Sequence, residues 1–178
     1  MNAPIKSKVI LTGFMASGKS AVGRLLAARL GRRFIDSDHE IVARAGKPIA
    51  QIFAEDGEAA FRRLEREVIA SLAAAPEPAV IATGGGALVD DANYAALSRA
   101  GTVVCLTARP EVIAKRVSAS NVARPKLAEG NLRLEDRIVQ LMEERRVAYA
   151  RAAITIDTSD LTINGVAERV LRALQGRE

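Results

Sequence analysis

Gly13-Phe14-Met15-Ala16-Ser17-Gly18-Lys19-Ser20 follows directly on the apolar run Val9-Ile10-Leu11-Thr12. It matches G-x-x-x-x-G-K-[ST] at every fixed position, and the apolar residues behind it (Val22, Leu25, Leu26, Leu30) recur at helical spacing. A strand running in and a helix running out predict a phosphate-cradling loop. The glycines let successive backbone N–H groups turn inward, and the helix starting near Gly18 adds the positive end of its dipole. A nucleoside triphosphate is the anion this arrangement predicts. Lys19 is expected to reach the β- and γ-phosphates, and Ser20 to offer its hydroxyl to Mg²⁺, which takes oxygen ligands from phosphates, waters and one or two side chains.

Outward from that loop, further apolar runs at Phe34 to Ile35, Ala79 to Thr83, Val103 to Leu106 and Ile154 to Ile156 alternate with helical patterns. This βαβ alternation predicts an α/β fold: a parallel sheet covered on both faces, with ligands at the carboxyl ends of the strands. At 178 residues the chain reads as a single domain spanning 1–178, burying roughly 70% of its unfolded surface. Two segments interrupt the rhythm, 39–63 with Gly46, Pro48 and Gly57, and 118–132 with Pro125 and Gly130. Both read as irregular insertions over the site, with the length of functional lids.

Composition narrows the partners. The single cysteine, Cys105, lies in Val103-Val104-Cys105-Leu106 and reads as a small buried hydrophobe in a reducing, cytoplasmic protein. The apolar run behind Lys6 and Lys8 stops at Thr12 and Gly13, too short for a signal sequence, and no stretch approaches a membrane span. A net charge of +5 accompanies only 3% aromatic residues and no basic run interleaved with them, so anionic small molecules are expected rather than nucleic acid. Twenty of the 26 basic residues are arginine, which suits bidentate grips on phosphate and carboxylate.

Several residues could carry chemistry. Asp36 and Asp38 end the second strand at i and i+2, which would point both carboxylates the same way, about 6.5 Å apart. One could hold a metal shell and the other accept a proton from a hydroxyl. Capping of the following helix, Glu40-Ile41-Val42, explains the same residues equally well. Gly84-Gly85-Gly86 after the third strand would let a small polyol lie against backbone N–H groups that any Cβ would hold off. Leu134, Ile138, Leu141, Arg145 and Tyr149 share one helical face, which sets a guanidinium in an apolar stripe. Its counter-ion is either a protein carboxylate or a ligand. Arg62 flanks the stripe Phe61, Leu64, Val68, Leu72 and reads locally as a surface pair with Glu58. Arg124-Pro125 places a stiffened cation where it could close onto phosphates. His39 reads as a solvated loop histidine.

Taken together these motifs resemble the shikimate kinases, small P-loop kinases of the nucleoside monophosphate kinase type. The match runs through the phosphate loop, Asp36 and Asp38, Phe61-Arg62, Gly84 to Gly86, Arg124-Pro125, and Arg145 with Tyr149. The resemblance implies a three-layer α/β/α fold with a five-stranded parallel sheet of order 2-3-1-4-5, a substrate region around 39–63 and a lid around 118–132. It implies transfer of the ATP γ-phosphoryl group, with Mg²⁺, to the 3-hydroxyl of shikimate by a cytoplasmic monomer.

Roles follow by position. Asp38 would serve as base and bind substrate hydroxyls; Ser20 and Asp36 would support Mg²⁺. Gly13, Ala16, Ser17, Gly18, Lys19, Ser20, Ala21, Arg116 and Arg124 would hold the nucleotide, with Arg116 against adenine, and Lys19 and Arg124 would act on the transferring phosphate. Arg62 and Arg145 would clamp the shikimate carboxylate, Gly84 to Gly86 would hold the ring hydroxyls, and Phe53 and Phe61 would pack on the ring. The chain departs from the family pattern at Val147, where proline is usual, and at Lys126, where leucine is common. The first implies a changed helix bend, the second a cation in the lid bearing on affinity or specificity. Kinases for quinate or gluconate share most of this machinery. A non-catalytic sensor of the same fold is expected to carry a helix-turn-helix extension and to have lost catalytic residues, whereas Lys19, Asp36, Asp38 and Arg124 are all present here.

Overall fold

The computed structural model describes residues 7–120, 127 and 132–176. They form one five-stranded parallel sheet of order β2-β3-β1-β4-β5, from β1 (Lys8–Thr12), β2 (Arg33–Asp36), β3 (Ala79–Ala82), β4 (Gly101–Thr107) and β5 (Ile154–Asp157). β1 is central and buried along its length, pairing Ile10 with Ile81 of β3 and with Val103 of β4. The expected strands, order and direction are all present.

Alternation along β1 builds the layers. Val9 and Leu11 pack with Val22 and Leu26 of α1 (Lys19–Leu30) and Val166 and Val170 of α9 (Ile163–Leu174). Ile10 packs on the other face with Ile69 of α4 (Gly57–Ala74) and Leu97 of α5 (Asp91–Ala100). Successive side chains of a strand point to opposite faces, so this apolar run needs helices on both. Cys105 is fully buried, and burial pushes its thiol up to about 11, as a small core hydrophobe requires.

The segment 39–63 corrects the reading of an irregular insertion, because it is helical: α2 (Ser37–Ala45), α3 (Ile49–Glu55) and the start of α4. Its glycines and proline punctuate helices rather than spread a loop. Gly46, at φ 69°, caps α2 by donating its N–H to the Val42 carbonyl, Pro48 precedes α3, and Gly57, at φ 81°, opens α4. His39 is exposed on α2, not in a loop. The second segment falls mostly outside the described residues, as do Arg124, Pro125 and Lys126. α6 (Pro110–Ser118) precedes it, and α7 (Leu134–Glu144) and α8 (Arg146–Tyr149) follow. No helix among the described residues is long and apolar enough to cross a membrane.

Candidate active site

The loop after β1, the glycine triplet after β3 and the end of β4 meet at the carboxyl edge of the sheet, on both sides of its central strand. Gly13 has φ 129°, and a Cβ there would lie 2.1 Å from the Leu106 carbonyl oxygen of β4. The loop can therefore seat against the sheet only with glycine at this position. Ala16 and Gly18 also take positive φ, 59° and 97°, and no side chain caps the first turn of α1. The orphan N–H groups of that turn remain to be met by an anion. Lys19 Nζ donates to the carbonyls of Gly13 and Phe14 at 2.9 and 2.8 Å, across the mouth of the loop. Ser17 keeps a buried hydroxyl with no protein partner among the described residues.

Asp36 is the cap that its sequence context allowed, and its second oxygen is used as well. One carboxylate oxygen caps α2, accepting from the Asp38 N–H at 3.1 Å, and the other accepts the Ser20 hydroxyl at 2.8 Å. Asp36 and Asp38 do not, however, share a strand face. β2 ends at Asp36 and Asp38 is in the first turn of α2, because the capping bond begins the helix there. Burial, with Asp36 adding, raises the Asp38 pKa against the opposing pull of Lys19, His39 and Arg62.

The glycine triplet is the hub. A Cβ on Gly84 would lie 2.9 Å from Asp38 Oδ1 and 3.1 Å from Glu65 Oε1; on Gly85, 3.2 Å from an Arg145 nitrogen; on Gly86, 3.2 Å from two Arg62 nitrogens. Three consecutive residues without side chains thus face the acid and both arginines that the sequence had scattered over 107 positions. An open cavity of about 420 Å³ is lined by Arg62, Gly86, Leu141 and Arg145.

The two arginines are held differently. Arg62 makes the expected pair with Glu58 at 3.2 Å, but its closer partner is Glu65 at 2.7 Å, whose side chain is only 1% exposed. Burial raises the Glu65 pKa, Arg62 opposes the rise, and Glu65 Oε1 has no hydrogen-bond partner among the described residues. Arg145 sits at the junction of α7 and α8, where a tightened turn, its N–H reaching the Met142 carbonyl at 3.3 Å, breaks the single helix expected from the pattern. The predicted face survives: Ile138, Leu141 and Arg145 are 0%, 4% and 8% exposed. No carboxylate among the described residues pairs with the Arg145 guanidinium, which lies 5.5 Å over the Phe14 ring. Internal ion pairing, one of the two readings of this buried cation, is therefore not what the described residues show. Val147 is 69% exposed, so the departure from proline does not enter the site.

Phe61 is buried in a cluster with Ile41, Ile52 and Val68, and its ring lies 4.7 Å from that of Phe53. Arg116 donates to the Thr158 hydroxyl and carbonyl at 3.0 and 2.8 Å and to the Ala16 carbonyl at 3.3 Å, so it borders the phosphate loop. Two contributors were not singled out from sequence. Glu65 carried a signal: it is four residues from Phe61 and three from Val68, a carboxylate on an apolar face. Thr158 carried none, since its role depends on β5 ending beside α6.

The family model described as shikimate kinase matches residues 15–175. A shikimate kinase of Symbiobacterium thermophilum is 45% identical over 170 residues, 95% of this chain and 97% of that protein. Among solved structures, a shikimate kinase from Acinetobacter baumannii in complex with shikimate superposes with TM-score 0.89 at 34% identity, covering 98% of this chain and 95% of the other. A gluconokinase from Sinorhizobium meliloti superposes with TM-score 0.62 at 18% identity over 97% and 93%, a likeness of fold alone.

Proposed function

The chain belongs to the shikimate kinase family, an ATP-dependent kinase family whose members use a divalent metal, and on that premise we propose that it transfers the γ-phosphoryl group of ATP to the 3-hydroxyl of shikimate. The products are shikimate 3-phosphate and ADP. The observation that carries the choice of acceptor is Arg145: a buried guanidinium with no carboxylate beside it among the described residues, next to Gly85 on the substrate floor. A charge so placed calls for a ligand anion, and its planar fork fits a carboxylate. Arg62, facing Gly86, supplies the second half of the clamp.

Asp38, facing Gly84, accepts the proton of the attacking hydroxyl, and its raised pKa makes it a stronger base than an ordinary aspartate. The backbone of Gly84 to Gly86 orients the ring. Lys19 leaves the loop carbonyls for the β- and γ-phosphates, while the N–H groups of the loop receive the chain of phosphates. The Ser20 hydroxyl and Asp36 carboxylate, 2.8 Å apart, fit Mg²⁺ as the oxygen ligands of an ion that also keeps waters and phosphates. Bound there, the ion would neutralise charge on the transferring group. Phe53 and Phe61 flank the acceptor, Arg116 lies against adenine, and Arg124, outside the described residues, closes on the phosphates. Action as a cytoplasmic monomer belongs to the same proposal.

The test is ADP release by the purified protein with Mg·ATP and shikimate, quinate, gluconate or no acceptor, with product mass checked. Rapid release with shikimate and a product heavier by one phosphoryl group is expected. Turnover with quinate or gluconate in its place would overturn the acceptor assignment, and none with any acceptor would return the chain to the sensor class.

A further inference from the structure

We infer that Tyr149 is a positioning residue that ties the carboxylate clamp to the substrate floor, an inference that rests on the acceptor reading above. The Tyr149 hydroxyl donates to the Gly85 carbonyl at 2.5 Å. The backbone N–H of Tyr149 donates to the Arg145 carbonyl at 3.0 Å, so one residue links the segment that carries the guanidinium to the glycine floor. Burial outweighs the pull of the nearby Arg145 cation and pushes the Tyr149 pKa up to about 12, so the phenol stays protonated and keeps its bond to Gly85.

The geometry gives this bond a purpose beyond packing. Arg145 ends α7 in a tightened turn, and its long side chain crosses to within 3.2 Å of the place a Gly85 Cβ would occupy. The guanidinium lies over the Phe14 ring, which attracts the cation without fixing the direction of its fork. Tyr149, one turn further on, anchors that turn to the floor. With its hydroxyl on the Gly85 carbonyl and its N–H on the Arg145 carbonyl, it sets the spacing between the backbone that receives the ring and the guanidinium that receives the carboxylate. Without it, substrate must order the arginine itself, and a freely rotating arginine loses rotamer freedom on binding.

The test is Tyr149→Phe, which removes one oxygen and keeps the ring, made in the wild-type and in the Arg145→Lys background. Shikimate affinity is measured by calorimetry as well as by KM, so that slow variants still report. The shikimate Kd and KM are expected to rise about three- to tenfold, the scale of one lost hydrogen bond, with the ATP KM near wild type and the melting temperature lower by no more than roughly 2–4 °C. In the Arg145→Lys background the same change should add less than about twofold, because the fork it orients is already gone. An unchanged shikimate affinity would overturn the inference. So would an equal loss in both backgrounds, or a parallel rise of both KM values with a larger fall in melting temperature, which would mark Tyr149 as a packing residue. If the wild type itself does not turn over shikimate, the acceptor reading fails and takes this inference with it; if it does and Tyr149→Phe matches it, only this inference fails.

Discussion

Asp36 caps α2 with one oxygen and holds the Ser20 hydroxyl with the other, and two substitutions separate those duties. Asp36→Ala removes both. Loss of an N-cap destabilises by about 1 kcal/mol, which for a chain this long lowers the melting temperature by roughly 2–4 °C. Asp36→Asn keeps the cap, since an asparagine side-chain oxygen accepts from the Asp38 N–H about as well as an aspartate's. The variant gives up an anion at a helix N-terminus, about 0.3–1 kcal/mol, but also relieves the repulsion that Asp36 exerts on Asp38. These effects oppose one another, so its melting temperature should stay near that of the wild type. The metal site should not survive. The amide group facing Ser20 is now a donor, so the hydroxyl must accept from it, which occupies a lone pair intended for the cation and redirects the proton. The Mg²⁺ concentration for half-maximal ADP release should rise at least about tenfold, equivalent to about 1.4 kcal/mol. Thermal melting of the ligand-free proteins and Mg²⁺ titration of turnover read the two duties independently. An Asp36→Asn protein with a wild-type metal requirement would refute the metal assignment, and one that melts as low as Asp36→Ala would refute the capping argument.

Two further outcomes follow from the same site. Asp38→Asn should abolish transfer yet stabilise the ligand-free fold at neutral pH. The folded-state pKa of Asp38 lies above its ordinary 3.8, so stability is lost as pH rises from that value through the raised one, and asparagine escapes the loss. Melting curves at pH 4 and pH 8 should show the variant's advantage widening with pH, and a constant gap would sink the claim. Gly84→Ala drives a methyl to 2.9 Å from Asp38 Oδ1. It should lower kcat by about tenfold or more through displacement of the base, with ATP binding intact by calorimetry; a kcat within twofold of wild type would show that Asp38 can move aside.

Much of this protein is legible in one dimension because its signals are local. The phosphate loop needs residues at fixed offsets along the chain, and the inner strands β1, β3 and β4 are short apolar runs whose burial on both faces erases alternation. Helix punctuation is legible too, but the same residue types serve loops and caps, and Gly46, Pro48 and Gly57, which suggest a loop in sequence, cap and join helices in the fold. At Asp36 local sequence offers cap or ligand, and only the approach of α1 to β2, bringing Ser20 to 2.8 Å, shows that the capping carboxylate also meets the Ser20 hydroxyl.

The sequence by itself determined the fold class, the anion-binding loop and the residue types of the site, since each depends on neighbours within a few positions. Tertiary structure alone decided which of them meet. It set the three glycines against Asp38, Arg145 and Arg62, gave Arg62 the buried partner Glu65, and left Arg145 without a carboxylate among the described residues. Such contacts join residues far apart in the chain through the packing of β3 against β1 and of helices against the sheet edge, and no spacing rule encodes them.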